Sequence, residues 1–352
     1  MKKIILASLA IAALAACSKT EVVGVTESNA IAFDNAFVDN ATKSVNDPSF
    51  TNTNLFKDFA VYGFVEGAVL FDGTQVSKTI TNNDLINSAW KYAGTQYWIA
   101  GANYNFAAVA PKTSGGWEKE TSTVDMTGYT VTTNLSFTND GAKDLLYADA
   151  GKILRKDSGN GTVAFTFRHV LSKVKFSFEN AYNASAATIK VYDIKINNAY
   201  ETGNVALTSA STEWSSQAGT LVLDFGAAVN EGVDDDADVD EVQIYNTADA
   251  FAYNTTLESY NELLLIPGTV TDGYNVTFKV DLLVSDQKIK TYDHTAKVNF
   301  APAPGTCYDI KAVINAENID PENKQEPIEF TVSTLSGWTT AAGVDAQYPQ
   351  KN

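Results

Sequence analysis

Hydrophobic and polar residues alternate along most of the chain, in short runs separated by turn-forming residues. A period of two is typical of strands with one buried face, whereas an amphipathic helix repeats its apolar residues every 3.6 positions. The clearest case is residues 274–283, where four apolar residues share one face: Val276, Phe278, Val280 and Leu282. Asn, Asp, Gly and Ser recur at short intervals between the apolar runs. The pattern predicts an all-β protein built from many short strands.

The same pattern predicts further strands on both sides of a central turn cluster. We expect them at residues 29–39, 59–65, 91–98, 103–110, 129–137, 144–148, 162–167, 174–178, 189–196, 221–225, 262–267, 288–300, 308–314 and 328–332. Residues 113–119 contain two adjacent glycines and are predicted to form a turn. The strongest turn cluster is at residues 157–161, and it predicts a boundary between two β-sandwich domains, residues 29–160 and residues 161–352.

The N-terminus follows a different pattern. Two lysines precede an apolar run over residues 4–13, and small residues then lead up to Cys17. A membrane span needs about 20 apolar residues, so this run is too short. It predicts a signal peptide that is removed between Ala16 and Cys17, with lipid attached to the cysteine, and residues 17–28 as a lipidated tether. An ordinary secretory signal followed by an unmodified cysteine is the alternative.

Composition narrows the classes of function. The formal net charge is −17, which argues against nucleic acid and against electrostatic binding of anionic headgroups. The chain has two cysteines, and with Cys17 assigned to lipid, Cys307 has no partner for an intrachain disulfide. No second apolar segment approaches the length of a membrane span. The body of the protein is therefore expected outside the membrane.

Residues for catalysis are scarce. His169 and His294 are the only histidines, and each is either a base or metal ligand or a packed ring with hydrogen-bond partners. Structural zinc sites need three or four closely spaced ligands, which the sequence lacks. Cys307 has no neighbour that marks it as a nucleophile. We therefore predict no catalytic residue, no metal, no cofactor and no enzymatic activity, although distant carboxylates that meet in the fold stay open as a hydrolase alternative.

Residues 233–241 form an acidic segment that is either a Ca²⁺ site or a solvated loop. The helical calcium loop requires glycine at its sixth position and glutamate at its twelfth. Counted from Asp234, those positions hold Val239 and Tyr245, so this motif is absent. The sequence leaves calcium binding by a looser arrangement undecided.

Four aromatic residues lie close together in one stretch of the chain: Trp90, Tyr92, Tyr97 and Trp98. Exposed rings would stack on sugars, whereas buried rings would form cross-strand core pairs. The core interpretation is favoured. Exposure of this cluster would indicate the main alternative function, a permanently anchored surface lipoprotein that binds glycans.

Two motifs resemble those of a known family. Residues 163–176 read V-A-F-x-F-x-H-x-L-S-K-V-x-F, and residues 144–148 upstream read D-L-L-Y-A. Together with the lipid-attachment signal, an early Ile31-x-Phe33 strand and a closing strand after Ile328, these motifs resemble the fimbrillin-like proteins of Bacteroides-type bacteria. The resemblance covers essentially the whole chain after the signal peptide.

The resemblance implies two transthyretin-like β-sandwich domains and a role as a pilin or pilus-tip protein. In that family a lipoprotein precursor reaches the outer membrane, and a surface protease then cuts after a basic residue and releases the first strand. The emptied groove accepts a strand from another subunit, by strand addition at a sheet edge. A groove that has lost apolar side chains is favourable to fill, because burial removes apolar surface from water.

Carried onto this chain, the resemblance implies a removable strand with Ile31 and Phe33, and processing between Lys43 and Ser44. A donor strand would contain three alternating apolar residues, Ile328, Phe330 and Val332. The expected partners are other pilin subunits, the membrane through lipid on Cys17 before processing, and a host glycan or protein. The expected location is the outer membrane and fimbrium. The sequence does not distinguish stalk, tip and anchor positions.

Overall fold

The computed structural model describes residues 29–38, 50–51, 55–78, 89–155, 161–184, 187–230, 248–322 and 326–335. Within these ranges the chain forms 24 β-strands and no α-helix, which confirms the predicted all-β class. In the same residues, nothing helical is long and apolar enough to cross a membrane.

The strands of the first half of the chain are β1 Ala32–Val38, β2 Phe50–Thr51, β3 Leu55–Phe56, β4 Asp58–Val65, β5 Ala68–Lys78, β6 Trp90–Tyr92, β7 Asn103–Ala110, β8 Trp117–Asp125, β9 Thr130–Thr138, β10 Leu146–Leu154 and β11 Thr162–His169. The remaining strands are β12 Ser172–Asn180, β13 Ala187–Ala199, β14 Thr202–Leu207, β15 Thr212–Ala218, β16 Leu221–Gly226, β17 Ala228–Val229, β18 Phe251–Ala252, β19 Thr255–Ser259, β20 Leu263–Leu265, β21 Tyr274–Val284, β22 Gln287–Val298, β23 Cys307–Ile314 and β24 Phe330–Leu335.

The largest sheet curls towards closure. Its seven strands follow the order β1-β11-β10-β7-β4-β5-β6, yet β1 and β6, at opposite ends of that order, contact each other. Ala30, just before β1, also forms an antiparallel bridge with Tyr97, just after β6. The sheet therefore encloses one of its faces, as a barrel does. Its interior is filled by apolar residues that include Ile31, Phe33, Phe59, Val61, Phe71, Trp98, Tyr104, Phe106, Phe165 and Phe167.

The outer face of the curled sheet is buried as well. It packs on a four-stranded sheet of order β15-β14-β9-β8, and the shared core includes Tyr62, Val109, Leu135, Phe137, Tyr147 and Val205. In β4, Phe59 and Val61 point into the barrel, whereas Ala60 and Tyr62 point to the four-stranded sheet. A strand buried on both faces reads as a nearly continuous apolar run, which is what residues 59–65 show.

The second sandwich is formed by two further sheets. One has the order β17-β19-β12-β23-β24 with β20 also paired to β12, and the other has the order β16-β13-β21-β22 with β18 also paired to β13. In β13, Val191 and Ile194 lie three residues apart but are both fully buried, because the register shifts between Tyr192 and Lys195. Asp193 within this bulge has a φ of +54°. The bulge restores the alternation that the core requires.

The sheets do not divide at residues 160 and 161, where the sequence predicts a domain boundary. β11 pairs with β1 and β10 in the curled sheet, so the central turn cluster lies between two neighbouring antiparallel strands. β14 and β15 extend the sheet that begins with β8 and β9. Strand pairing thus connects the two parts of the chain across that position, and the division into domains at residues 160 and 161 stays a prediction.

Several strands differ from their predicted positions. The strand expected over residues 91–98 is limited to β6, and the turn expected over 113–119 ends where β8 begins at Trp117. The last strand, expected over 328–332, is β24, so Ile328 lies two residues before it. The strands without a predicted counterpart are β2, β3, β5, β8, β14, β15, β17, β18 and β19. Among these, β8 is mostly exposed on both faces, so it lacks the apolar alternation that identifies a strand.

Candidate functional site

The N-terminal strand lies between two edges of the curled sheet. On one side β1 runs parallel to β11, with Phe33 opposite Val163. On the other side the Ile31 N–H donates a hydrogen bond to the Gln96 carbonyl at 2.8 Å, and the Trp98 N–H donates to the Asn29 carbonyl at 3.0 Å. The chain at residues 29–33 therefore closes the gap between the two ends of the sheet.

Phe33 fills the centre of the barrel interior. The exposed fractions of Ile31 and Phe33 are 2% and 4%. The Phe33 ring stacks on Phe165 at a centroid distance of 5.9 Å and an interplanar angle of 16°. Four further rings meet it edge-on at 5.5–6.2 Å: Phe59, Phe71, Tyr92 and Phe106. Without this strand the barrel would have an open, aromatic-lined groove.

Tyr92 joins the strand to that groove through its hydroxyl. The phenolic O–H donates to the Ile31 carbonyl at 2.7 Å and accepts from the Gln96 N–H at 3.2 Å. Desolvation by burial raises the pKa of Tyr92 above its ordinary value. The hydroxyl therefore keeps its proton, and remains a donor to the strand, throughout the neutral range.

The C-terminal strand occupies a more open position. β24 pairs antiparallel with β23 and is the last strand in its sheet order. Ile328, Phe330 and Val332 are partly buried against the core of the second sandwich. The Phe330 ring approaches Phe176, Phe178 and Phe278 at centroid distances of 5.9, 6.4 and 6.0 Å. The predicted donor residues thus pack on their own subunit with one face outward.

A cleft of about 540 Å³ runs between β22 and β24, the edge strands of the two sheets of the second sandwich. Ile328, Phe330, Val298 and His294 are among its lining residues. His294 is buried, and its ring stacks on Phe278 at 5.0 Å with an interplanar angle of 12°. These contacts place His294 as a packed ring at the open side of the sandwich.

The two family-like motifs meet in the structure. His169 Nδ1 is paired with the carboxylate of Asp144, and both side chains are almost completely buried. Asp144 also accepts a hydrogen bond from the Leu145 N–H at 2.8 Å. The pair ties the start of β10 to the end of β11, just before the chain enters the second sandwich. From the sequence His169 was either a base or metal ligand or a packed ring with hydrogen-bond partners, and Asp144 was not identified as its partner.

Cys307 is a buried thiol on β23, opposite Leu335 of β24. Burial raises its pKa to about 11. The nucleophilic form of cysteine is the thiolate, which this environment disfavours at neutral pH. Among the described residues, no group of three or more His, Cys, Asp or Glu side chains is arranged to hold a metal ion.

The aromatic cluster of residues 90–98 lies mainly inside the barrel. Trp98 is 5% exposed and packs on Tyr104 at 4.7 Å, and Trp90 packs on Phe59 at 5.0 Å. Tyr92 contacts Phe33, and Tyr97 is the member of the cluster with an exposed ring, at 46%. The core interpretation is confirmed for Trp98, whereas Trp90 and Tyr92 are partly buried.

Several predicted sites lie outside the described residues. They are the signal cleavage site at Ala16 and Cys17, the lipid attachment at Cys17, the processing site at Lys43 and Ser44, and the acidic segment 233–241. These assignments stay predictions from the sequence.

A family model described as fimbrillin-like matches residues 42–338. No curated protein matches the sequence. Two similar solved structures are presumed cell adhesion proteins. The one from Bacteroides ovatus is 13% identical, and the match covers 89% of this chain and 98% of that chain with a TM-score of 0.45. The one from Bacteroides uniformis is 14% identical, and the match covers 88% of this chain and 98% of that chain with a TM-score of 0.40. A third similar structure is the fimbrial anchor protein Mfa2 from Porphyromonas gingivalis. It is 13% identical, and the match covers 80% of this chain and 89% of that chain with a TM-score of 0.30.

Proposed function

The chain belongs to the fimbrillin-like family, and from this premise we propose that it is a structural, tip or accessory subunit of a cell-surface fimbria that serves adhesion. It is exported as a lipoprotein precursor and assembles by strand exchange after proteolysis. One observation carries the proposal: the N-terminal strand fills a groove, and the aromatic rings that line this groove around Phe33 all come from other strands. Phe33 is surrounded by five rings from β4, β5, β6, β7 and β11, and none of these rings belongs to the strand itself.

Replacing the N-terminal strand with a strand from another subunit is more favourable in free energy than removing it and leaving the groove empty. Removing the strand uncovers the groove around Phe33, and burying one large apolar side chain contributes about 1.5–3 kcal/mol. It also leaves the edge of β11 unpaired, and an exposed edge is a template for another strand. A strand from a second subunit restores both the burial and the backbone hydrogen bonds. A subunit that has lost its N-terminal strand is therefore expected to bind a strand of another subunit and to polymerise.

The predicted lipid on Cys17 serves delivery in this scheme. The precursor is held at the outer membrane by its acyl chains, because two or more chains anchor stably. A cut after Lys43 separates the lipidated residues and β1 from the rest of the chain. The assembled subunit then belongs to the fimbria, and its partners are other subunits and a host glycan or protein. The function is structural rather than enzymatic.

Limited proteolysis tests the proposal. The full chain from Ser18 onward is treated briefly with a trypsin-like protease, and N-terminal sequencing and size-exclusion chromatography follow the products. We expect a fragment that begins at Ser44 and forms oligomers that lack residues 18–43. The matched control is Lys43→Ala, which should leave this site uncut and the protein monomeric.

Two outcomes would contradict the proposal. Protein that is cut after Lys43 but keeps β1 bound and stays monomeric excludes strand exchange for this chain. Protein that resists cleavage there excludes the processing site. On intact cells, an N-terminus at Ser44 indicates processed and assembled subunits, whereas lipidated Cys17 indicates a permanently anchored protein.

A further inference from the structure

The end of the barrel at which the chain enters β1 is built from segments that meet at Asn29. The Trp98 N–H donates to the Asn29 carbonyl at 3.0 Å, and Arg155 Nη2 donates to the Asn29 side-chain oxygen at 3.1 Å. The Gly101 N–H in turn donates to the Arg155 carbonyl at 3.0 Å. These segments therefore surround the point at which the residues before Asn29 leave the barrel. We name the surface formed by residues 29, 97–103 and 154–155 the tether end.

The tether end exposes three large apolar side chains. The exposed fractions are 59% for Ile99, 53% for Leu154 and 46% for Tyr97. A Cβ placed on Gly101 would meet no atom of the described residues within 4 Å, so the turn that follows Ile99 projects outward. Single exposed apolar residues are ordinary on a protein, whereas several on one surface indicate an interaction site.

Charged groups of both signs lie at this surface. The Arg155 guanidinium lies 5.6 Å from the centre of the Trp98 ring. The Glu66 carboxylate accepts from the Asn103 N–H at 2.6 Å and from Asn103 Nδ2 at 3.0 Å. Because these two groups have opposite charges, we expect the apolar side chains rather than a net charge to decide what the tether end binds.

We propose that the tether end rests on the surface of the lipid bilayer while the precursor is anchored. Ile99 and Leu154 enter the boundary between headgroups and acyl chains, and Tyr97 lies at headgroup level, where its ring meets lipid and its hydroxyl meets water. This inference rests on the proposed function, because the predicted lipid on Cys17 is the anchor.

The length of the tether favours this contact. Residues 17–28 are twelve residues, which span at most about 40 Å when fully extended. A short tether holds two surfaces at an effective concentration on the order of 1 mM. An apolar contact that is too weak to hold the free protein on a bilayer is therefore populated in the anchored precursor. The contact is lost when strand exchange separates β1 and its tether from the subunit.

The direction of β11 places the second sandwich away from the bilayer. β11 begins at Thr162, opposite Ala32 near the tether end, and its eight residues extend about 26 Å to His169. The second sandwich follows from Ser172, beyond that far end of the strand. Exposed residues of the second sandwich therefore serve as controls that the tether does not bring to the lipid.

Photocrosslinking tests the contact. The chain from Cys17 onward, with Cys307→Ser, is coupled through the Cys17 thiol to a maleimide phospholipid in phosphatidylcholine vesicles. The photoreactive residue p-benzoylphenylalanine replaces Ile99 or, as the matched control, Ile289 on β22, whose exposed fraction is 61%. Mass spectrometry then measures lipid adducts. We expect at least about tenfold more adduct at position 99 than at position 289. Blocking Cys17 before the vesicles are added should lower the adduct at position 99 at least about tenfold.

A second set of variants separates apolar contact from mere proximity. With the photoreactive residue in place of Tyr97, the double variant Ile99→Asp and Leu154→Asp should lower lipid adducts at least about fivefold, because carboxylates resist entry into lipid. The control double variant, Val284→Asp and Ile289→Asp, should leave the adducts unchanged. Circular dichroism confirms that both variants fold. Unchanged adducts in the tether-end variant would show that the tether alone brings this surface near the lipid, and would overturn the proposal.

Two further outcomes would also overturn it. Equal lipid adducts at positions 99 and 289 would show that the protein has no preferred face towards the bilayer. Adducts between protein chains at position 99, in place of lipid adducts, would show that a second copy covers the tether end. Because the lipid is attached chemically, each of these outcomes leaves the proposed function intact, and failure of the proposed function is read separately from the proteolysis experiment.

Discussion

The strands at the two ends of the described chain have the same alternation but different environments. Around β1, Phe33 is 4% exposed and meets five aromatic rings, whereas Phe330 at the start of β24 is half-buried against three. The difference comes from the shape of each sheet. The first sheet curls until its ends meet, so its terminal strand closes a barrel, whereas the sheet of β24 ends at an open edge beside a cleft.

The comparison shows that burial of a strand residue depends on the curvature of the sheet that receives it as well as on local pattern. By this comparison β1 lies in a closed position and β24 in an open one. The following predictions test that difference, beginning with the largest effect.

Phe33→Ala should be the most destabilising change. It leaves a cavity among five rings, and Phe→Ala substitutions in cores typically cost about 3–5 kcal/mol of the free energy of unfolding. Urea denaturation of the chain from Ser18 onward, followed by tryptophan fluorescence, measures the loss. The exposed neighbour Ala32 provides a control, since Ala32→Ser should stay within about 0.5 kcal/mol. A loss under about 1 kcal/mol for Phe33→Ala would show that the strand does not close the barrel.

Phe330→Ala should cost less, about 1–2 kcal/mol, because less apolar area is buried around it. The same denaturation experiment applies, with the exposed Thr331→Ala as the control. If the Phe330 variant lost as much stability as the Phe33 variant, the distinction between a closed and an open position would fail.

Tyr92→Phe removes the hydroxyl that joins Ile31 to Gln96 while keeping the ring that packs on Phe33. The expected loss is about 1 kcal/mol, the net value of a typical hydrogen bond. Tyr97→Phe is the matched control, because Tyr97 is largely exposed, and it should change little. Equal effects in the two variants would show that the Tyr92 bond does not hold the strand.

Alkaline pH should slightly lower the stability contributed by the buried Cys307 thiol on β23, next to the open edge at β24. The pKa of Cys307 is raised from 9.0 to about 11 by burial, so unfolded chains lose the thiol proton before folded ones. The stabilisation is present below pH 9 and is lost as pH rises towards 11. Between these values the urea midpoint of the natural sequence should fall relative to that of Cys307→Ala. Parallel pH profiles would mean that the thiol is accessible in the folded protein.

Much of the fold follows from local pattern. Residues 103–110 and 274–283 match β7 and β21 closely because each alternates or runs apolar over its whole length. β8 could not be found in this way, since most of its side chains face water and its pairing with β9 decides its structure. The start of β24 was misplaced by two residues because Ile328 continues the apolar alternation beyond the backbone pairing.

The candidate site was predicted in part. Ile31 and Phe33 were identified as inward residues of the first strand, and both are buried. The pattern could not identify their neighbours, because the rings around Phe33 come from five strands spread over residues 59–165. For the same reason it missed Asp144 as the partner of His169, 25 residues away.

The sequence by itself determined the all-β class, the inward faces of most strands and membership of the fimbrillin-like family, because alternation and short motifs are local properties of the chain. Only the tertiary structure decided that β11 belongs with β1, that the first sheet curls on itself, and that Phe33 and Phe330 differ in burial. Those outcomes depend on which distant strands pair and how strongly the sheet twists. Pairing and curvature arise from contacts between residues far apart in the sequence, which local pattern does not contain.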